Sequence, residues 1–279
     1  MIPFSDFGGN GQALHFLHAN GYPPACYQEL MDMLAGTQHV SAMHLRPLWP
    51  AAKPEEIGSW HPLSDDLLQF IQQQNLAPLI AVGHSIGAIV SLRAAMSNPG
   101  LFRALILIDP VLFTPSYITG YGLMRRMGLA DRTHPLIAGA LKRRRHFDNP
   151  EALFKAYRRK DIFRYFSDQA LRNYITGILR PREAGGYELA YSPEWEARIY
   201  HTGIWNDMDL WRKLPRLKLP TLIIRGAETD TFLAGSAMRI NRIRPQTSIV
   251  TLEKSTHLVP LEKPFETFTT IRDFLKENL

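Results

Sequence analysis

A serine flanked by two glycines is the pattern in this chain best suited to covalent chemistry. The stretch from Gly83 to Gly87 reads G-H-S-I-G; the apolar run Leu79–Val82 precedes it, and a helix-forming stretch, Ile86–Ser97, begins inside it. A strand, a sharp turn and a helix in this order hold the apical side chain clear of the backbone, and the small neighbours permit the strained turn. The helix N-terminus also favours developing negative charge. The pattern therefore predicts that Ser85 is a nucleophile.

A serine hydroxyl needs a nearby base to react near neutral pH, and the usual base is a histidine that a carboxylate orients. In the chain order serine, acid, histidine, the base follows the last strand. Of the 10 histidines, His257 alone lies in the turn after the strand-like run Ser248–Leu252 and before a helix that begins at Pro264. His257 is therefore the predicted general base.

The acid of such a triad is expected in the loop that follows a late strand. The apolar run Thr221–Ile224 is closed by Gly226, and two acidic residues follow, Glu228 and Asp230. Asp230 is the preferred triad acid. Glu228 is its competitor, because the spacing alone does not exclude it, and the alternative for either residue is a solvated loop carboxylate.

Two backbone N–H groups are expected to stabilise the negative charge on the reacting oxygen. One is the N–H of Ile86, directly after the serine. The second belongs to the loop after the strand-like run Ala13–Leu17, where Asn20 is the favoured donor and Ala19 the alternative. His18 is expected to brace this loop rather than to transfer protons.

Two further residues are predicted to contact substrate. Tyr22 follows the oxyanion loop and is expected to line the substrate site, with a packing role as the alternative. His84 directly precedes the nucleophile and is directed away from the position of a base, so a substrate contact is the role assigned to it.

Strand-like and helix-like segments alternate through most of the chain. Six apolar runs predict buried parallel strands, namely Ala13–Leu17, Val40–Leu45, Leu79–Val82, Ala104–Ile108, Thr221–Ile224 and Ser248–Leu252. The predicted helices are Pro24–Leu34, Leu63–Gln74, Ile86–Ser97, Gly235–Ile243 and Pro264–Leu275. This alternation predicts an α/β fold with a doubly wound, mostly parallel sheet, and in such sheets the site lies beyond the carboxyl ends of the strands.

The alternation stops between residues 111 and 210, a segment rich in Arg, Tyr, Phe and Trp and without strand-like runs. Leu136–Leu141, Glu151–Tyr157 and Asp168–Leu179 are the candidate helices. Because so many large apolar side chains disfavour a disordered loop, we predict a helical cap at 111–210, inserted into a core made of 1–110 and 211–279.

The formal net charge of the 279-residue chain is +6, and most of the excess lies in the predicted cap, with 16 Lys and Arg against 11 Asp and Glu. A solvated helical face is the favoured interpretation of its densest run, Lys142–Arg145. Steering of anionic substrates is the alternative, and contact with a membrane surface is disfavoured. Nucleic-acid binding is not expected, because no recognisable binding module accompanies the charge.

The start of the chain lacks a basic, apolar secretory signal, and no run is long enough to predict a membrane span. Cys26 is the one cysteine, so no intrachain disulfide is expected. These features predict a cytoplasmic protein. No metal or organic cofactor is expected, and the oligomeric state is left open.

The elbow around Ser85, the loop from His18 to Pro23, Asp230 and His257 together resemble the α/β-hydrolase superfamily, in its capped serine-nucleophile branch. The segment after His257, Leu258–Pro264, is similar to that family's segment after its catalytic histidine. The resemblance covers roughly 12–108 and 220–279. Two departures are a missing or much reduced N-terminal hairpin and an oxyanion loop reading H-A-N-G, which leaves the second donor open.

The resemblance implies hydrolysis of a small-molecule carboxylic ester through an acyl-enzyme, and the aromatic-rich cap indicates an apolar or amphipathic acyl group or alcohol. A thioesterase, a carbon–carbon bond hydrolase, an acyltransferase or a cofactor-free perhydrolase would use the same serine and stays open. Dehalogenases and epoxide hydrolases of the superfamily carry an aspartate at the position of Ser85 and are disfavoured. The alternative hypothesis outside the enzymes is a non-catalytic binding protein. It is disfavoured because all three triad positions are filled.

Overall fold

The computed structural model describes residues 1–129, 135–203 and 207–279. These residues form 10 strands: β1 (Phe4–Gly8), β2 (Ala13–Leu17), β3 (His39–Met43), β4 (Leu79–His84), β5 (Phe102–Ile108), β6 (His146–Phe147), β7 (Leu179–Pro181), β8 (Tyr187–Leu189), β9 (Thr221–Gly226) and β10 (Ser248–Leu252). They also form the α-helices α1 (Gln28–Ala35), α2 (His61–Gln73), α3 (Ile86–Ser97), α4 (Pro115–Arg126), α5 (Pro135–Leu141), α6 (Pro150–Tyr157), α7 (Asp168–Ile178), α8 (Pro193–Thr202), α9 (Met208–Lys213), α10 (Ala234–Ile243), α11 (Val259–Glu262) and α12 (Pro264–Asn278).

Seven strands make one sheet in the order β1-β3-β2-β4-β5-β9-β10. All neighbouring pairs are parallel except β1 with β3. Every residue of β4 is buried, as apolar runs covered on both faces require. One buried cluster includes side chains of α2, α3 and α10, and the other includes side chains of α1 and α12. The predicted doubly wound, mostly parallel α/β fold is confirmed.

The register of the sheet brings three strand ends to one edge. His84 at the end of β4 is level with Ile108 at the end of β5, and Ile108 is level with Ile224 of β9. The residues that follow these strands therefore meet at the carboxyl edge of the sheet, where functional side chains of such folds collect.

The strand β1 was not predicted, because its sequence FSDFG contains no apolar run and its residues are only partly buried. It pairs antiparallel with β3 at the outer edge of the sheet and contains an irregularity between Asp6 and Gly8. The expectation that the N-terminal hairpin is missing or much reduced agrees with this arrangement: one strand precedes β2, and it lies beyond β3 instead of forming a hairpin with β2.

The predicted cap segment leaves the sheet after β5 and returns at β9. Its three expected helices are present as α5, α6 and α7, and α4, α8 and α9 were not foreseen. The expectation that the segment lacks strands was wrong, because β6, β8 and β7 form a small antiparallel sheet. These strands are two or three residues long, which is too short for a hydrophobic period to be visible in the sequence. The division of the chain at residues 110 and 211 stays a prediction.

The described residues of the segment 111–210 pack closely on the rest of the molecule. Both buried clusters contain residues from this segment, among them Trp195 in one and Tyr174 in the other. The indole N–H of Trp60 donates to the carbonyl of Ile199 at 3.0 Å. Within the described residues, no helix combines the length and the apolar character that crossing a membrane would need.

Candidate active site

Ser85 sits at the apex of the turn between β4 and α3, with φ 58° and ψ −118°. This left-handed backbone is strained for a residue with a side chain, and a backbone hydrogen bond holds it. The N–H of Ser85 donates to the carbonyl of Ile108 at 2.9 Å. A Cβ atom at Gly83 would lie 2.4 Å from the carbonyl oxygen of Gly87, so the two glycines permit the turn. The side chain is 6% exposed.

His257 lies beside the serine, as predicted. Its Nε2 is 2.9 Å from the Ser85 hydroxyl oxygen. The loop that carries it is fixed by Glu262, whose carboxylate accepts hydrogen bonds from the N–H and the hydroxyl of Thr256 at 2.6 and 2.8 Å. Gly226 is the other determinant of its position, because a Cβ atom there would lie 2.1 Å from the carbonyl oxygen of Thr256.

The carboxylate behind the imidazole belongs to Asp109. Its Oδ1 is 2.9 Å from Nδ1 of His257, so this nitrogen donates its hydrogen and leaves Nε2 as the acceptor that faces the serine. Asp109 directly follows β5, is 0% exposed and has φ 40°. Its carboxylate also accepts from the N–H of Gly226 at 2.9 Å and from the hydroxyl of Thr229 at 2.6 Å.

The preferred acid, Asp230, does not lie behind the ring. It is exposed, and its carboxylate accepts a hydrogen bond from the hydroxyl of Thr231 at 3.0 Å. The loop after β9 instead turns the hydroxyl of Thr229 inward, onto the carboxylate of Asp109. Asp109 thus occupies the buried position beneath the imidazole. The prediction that Asp230 lies there is wrong.

The competitor, Glu228, is also exposed and faces the cap. Its carboxylate accepts from Arg164 at 2.7 Å and from the hydroxyl of Tyr165 at 2.6 Å, and both contacts lower its pKa, with the Tyr165 hydrogen bond contributing most. Glu228 therefore links the loop after β9 to the cap and does not contact His257.

One signal in the sequence pointed to Asp109. It is an acidic residue directly after a completely apolar strand end, in the segment Leu107–Pro110. It directly follows the predicted strand Ala104–Ile108, and no role was predicted for it from the sequence. Because β5 lies between β4 and β9, a residue at its end is nearer to Ser85 than one in the loop after β9.

The oxyanion loop lies against the elbow. A Cβ atom at Gly87 would lie 2.1 Å from the carbonyl oxygen of Leu17, so the end of β2 and the start of α3 are in close contact. The N–H of Ala19 donates to the hydroxyl of Tyr27 at 3.2 Å and is not free for substrate. Of the two alternatives, this favours the N–H of Asn20 as the second donor, beside that of Ile86.

His18 braces this loop, as expected. Its Nδ1 donates to the carbonyl of Ala19 at 2.8 Å, and its Nε2 accepts from the N–H of Leu45 at 3.1 Å. Complete burial lowers its pKa to about 3, so the ring is neutral at physiological pH.

The predicted substrate contact of His84 is wrong. The side chain is 0% exposed and both ring nitrogens are bound within the protein. Nδ1 lies 2.8 Å from the hydroxyl of Tyr27, and Nε2 donates to the carbonyl of His257 at 2.8 Å. A chain of hydrogen bonds therefore runs from Ala19 through Tyr27 and His84 to the backbone of His257, and it joins the oxyanion loop to the histidine loop.

Tyr22 lines a cavity of about 670 Å³ between the oxyanion loop and the cap. Its ring packs on that of Tyr174 with centroids 5.2 Å apart. Glu196 and Tyr200 of α8 line the same cavity. The position of Tyr22 is thus compatible with its predicted role, which stays a prediction.

The sequence profile of the alpha/beta hydrolase family matches residues 16–270 of this chain. The chain belongs to the alpha/beta hydrolase family. The matched range includes the elbow at Ser85, the aspartate after β5 and the loop that carries His257.

Individual alpha/beta hydrolases are similar over almost the whole chain. 2-(Acetamidomethylene)succinate hydrolase of Mesorhizobium japonicum is 27% identical over 269 residues, which is 96% of this chain and 89% of that protein. The crystal structure of E-2-(acetamidomethylene)succinate hydrolase has a TM-score of 0.77 at 22% identity and covers 98% of this chain and 94% of its own. The thioesterase domain from the curacin biosynthetic pathway has a TM-score of 0.71 at 18% identity, covering 96% and 94%. These structural likenesses show a shared fold.

Proposed function

We propose that this alpha/beta hydrolase is a serine hydrolase that cleaves a carboxylic ester through an acyl-enzyme intermediate. One observation carries the proposal: the Ser85 hydroxyl is 2.9 Å from Nε2 of His257, whose Nδ1 is 2.9 Å from the buried carboxylate of Asp109. Two successive hydrogen bonds, from the serine to the imidazole and from the imidazole to the carboxylate, make an alcohol oxygen nucleophilic.

In the acylation step, the Ser85 oxygen attacks the ester carbonyl carbon while Nε2 of His257 takes the hydroxyl proton. Asp109 holds the ring in the tautomer that this transfer needs and stabilises the imidazolium. The N–H groups of Ile86 and Asn20 donate to the oxygen that becomes negative, and each such donor typically contributes about 10²–10³ in rate. Collapse of the tetrahedral intermediate expels the alcohol, which receives the proton from His257.

The deacylation step repeats this chemistry with water. His257 takes a proton from a water molecule, whose oxygen attacks the acyl carbon and displaces the Ser85 oxygen. The acid is released, and the proton returns to the serine. No step in this sequence needs a group beyond the side chains and N–H groups named here.

An activity screen with wild type and Ser85→Ala tests the proposal. Esters, thioesters, amides and diketones with the same acyl group are offered in parallel, and labelling by a fluorophosphonate is measured. We expect esters to be turned over fastest and the alanine variant to lose about 10⁴-fold or more in turnover while staying folded. A faster reaction with one of the other classes would replace the ester assignment. Retained activity in folded Ser85→Ala would overturn the serine mechanism.

A further inference from the structure

The cavity beside the oxyanion loop has one apolar wall. The aromatic rings of Tyr22, Tyr157, Phe163 and Tyr174 line it and pack on one another, with centroids 5.2 Å apart for the pairs Tyr157–Phe163 and Phe163–Tyr174. Aliphatic side chains of α5 and α6, such as Leu153, complete the lining. A space of about 670 Å³ with this lining is large enough for a medium-length acyl chain or an aromatic ring.

The inner end of the cavity lies against the backbone of the oxyanion loop. A Cβ atom at Gly21 would lie 3.3 Å from the carboxyl carbon of Glu196 and 3.4 Å from Nη1 of Arg143. The side-chain amide of Asn20 donates to the backbone carbonyl of Glu196 at 3.1 Å. Arg143 and Glu196 are therefore charged groups of the cavity lining that lie against the oxyanion loop, which carries the predicted N–H donor of Asn20.

Arg143 and Glu196 neutralise each other. Nη1 of Arg143 donates to Oε2 of Glu196, and the two side chains are only 20% and 12% exposed. The other cations of the lining, Lys142, Arg144 and Lys160, are exposed residues at the solvent side. An ion pair that is largely shielded from water leaves the inner end without net charge, whereas either partner alone would strongly select ligands by charge.

We propose that this cavity binds a neutral, apolar or aromatic acyl group and that Glu196 sets the preference by occupying Arg143. This inference rests on the proposed esterase function and adds the substrate class. An acyl group ending in a carboxylate would have to displace Glu196 from the guanidinium and would bring a second negative charge beside it. Neutral groups enter without breaking the pair and gain the apolar contacts of the aromatic wall.

A matched pair of substrates measures this preference. The p-nitrophenyl esters of a neutral pentanoyl group and of a hemiglutaryl group have the same leaving group and similar length, and the second ends in a carboxylate. We expect wild type to have a kcat/KM at least about tenfold higher for the neutral ester, because a buried charge lacking its own partner is disfavoured by that much or more.

Glu196→Gln is the decisive variant. It keeps the size of the side chain and the backbone carbonyl that holds Asn20, and it frees the charge of Arg143. We expect the neutral-to-anionic ratio of kcat/KM to fall at least about tenfold. The double variant Arg143→Gln with Glu196→Gln is expected to restore the wild-type ratio, because the inner end of the cavity is then without net charge again.

Glu194→Gln is the matched control. Glu194 lies on the same helix and pairs with Arg145 at 2.9 Å, but both side chains are 48% exposed and neither lines the cavity. The neutral-to-anionic ratio of kcat/KM in Glu194→Gln is expected to stay at the wild-type value. An unchanged ratio in folded Glu196→Gln, or the same change in Glu194→Gln, would overturn the inference while leaving esterase activity intact. Absence of any Ser85-dependent ester hydrolysis would instead remove the function on which the inference depends.

A second variant tests the cavity itself. Ala156 is exposed at the cavity lining, so Ala156→Trp fills the space without disturbing the buried core. We expect kcat/KM for octanoyl esters to fall at least about tenfold while acetyl esters are unaffected. Ala138→Trp, at an exposed position of α5 outside the lining, is the control. Equal effects of Ala156→Trp on both chain lengths would show that the acyl group lies elsewhere.

Discussion

Asp109 accepts hydrogen bonds from groups on two separate segments, the end of β9 with the loop after it and the loop that carries His257. Besides the imidazole, these donors are the N–H of Gly226, the hydroxyl of Thr229 and, at 3.4 Å, the N–H of Phe232. A buried carboxylate needs such donors to offset its lost hydration. The same contacts fix the position of the carboxylate beside Nδ1 of His257.

The positions after a strand predicted the serine and the histidine that lie side by side in the structure, but they did not predict the carboxylate that lies behind the imidazole. Asp230 and Asp109 both follow strands, and the choice between them depends on which strand lies next to β4. The order of the strands is a property of the whole sheet, and it cannot be predicted from the residues around each strand. His84 was misassigned for a related reason: its partners, Tyr27 and the carbonyl of His257, are distant in the chain.

The Tyr27 hydroxyl is expected to position both reactive loops. Tyr27→Phe leaves two buried groups, the N–H of Ala19 and Nδ1 of His84, without a hydrogen-bond partner. The free energy of unfolding should therefore fall by about 1–3 kcal/mol. We expect kcat to fall about tenfold with a smaller change in KM, because the donors and the base shift while the cavity is intact. Steady-state kinetics and thermal unfolding measure both effects.

Tyr165→Phe is the matched control for that prediction. It removes the same atom from a tyrosine whose hydroxyl binds Glu228 at an exposed position. Its kcat is expected to equal that of wild type. A Tyr27→Phe variant with the kcat of wild type would show that the hydrogen-bond chain has no positioning role.

At the scale of the elements, apolar runs predicted all six parallel strands of the large sheet, and the helix-like segments between them predicted its flanking helices. It failed where an element is short or partly exposed. The edge strand β1 gains its order from pairing with β3, and the small sheet of β6, β7 and β8 gains its order from contacts within the cap. Such elements depend on tertiary partners rather than on their own sequence.

The approach of β9 to the histidine loop gives a prediction at this scale. A Cβ atom at Gly226 would lie 2.1 Å from the backbone oxygen of Thr256, so Gly226→Ala must push the two segments apart. We expect a loss of about 1–3 kcal/mol in the free energy of unfolding, with a lower kcat because His257 moves with its loop. Urea unfolding and steady-state kinetics measure these effects.

Gly100→Ala is the control for the crowding effect. A Cβ atom at Gly100 meets nothing within 4 Å, so the change in stability should stay within about 0.5 kcal/mol. If Gly226→Ala were as stable and as active as Gly100→Ala, the close contact between β9 and the histidine loop would not exist in solution.

At the scale of the whole molecule, three buried histidines tie stability to pH. Desolvation by burial lowers the pKa of His15 and His18 to about 3 and that of His84 well below its usual value of 6.5. Below pH 6.5 these histidines therefore bind protons in the unfolded chain but stay neutral in the folded chain. Each ring stabilises the fold fully above pH 6.5, and this contribution is lost progressively as the pH falls from 6.5 towards the lowered pKa of that ring in the folded protein. Asp207, whose pKa burial raises to about 7, has the opposite sign.

A difference measurement isolates one of these rings. His15→Gln removes a titrating group, so between pH 6 and pH 4 the free energy of unfolding should depend on pH less steeply than in wild type, by about 1.4 kcal/mol per pH unit. Leu14→Ala, a neighbouring core change without a titrating group, should lower stability at every pH and keep the wild-type slope. Identical slopes for His15→Gln and wild type would mean that the buried ring is protonated in the folded state.

The most direct test of the catalytic assignment compares two aspartates. Asp109→Asn and Asp230→Asn make the same chemical change, the first beneath the imidazole and the second at an exposed loop position. The measurement is kcat for ester hydrolysis by each folded variant. We predict that Asp109→Asn lowers kcat by about 10³–10⁴-fold and that Asp230→Asn stays within about twofold of wild type. A large loss in Asp230→Asn together with near-normal turnover in Asp109→Asn would contradict the account.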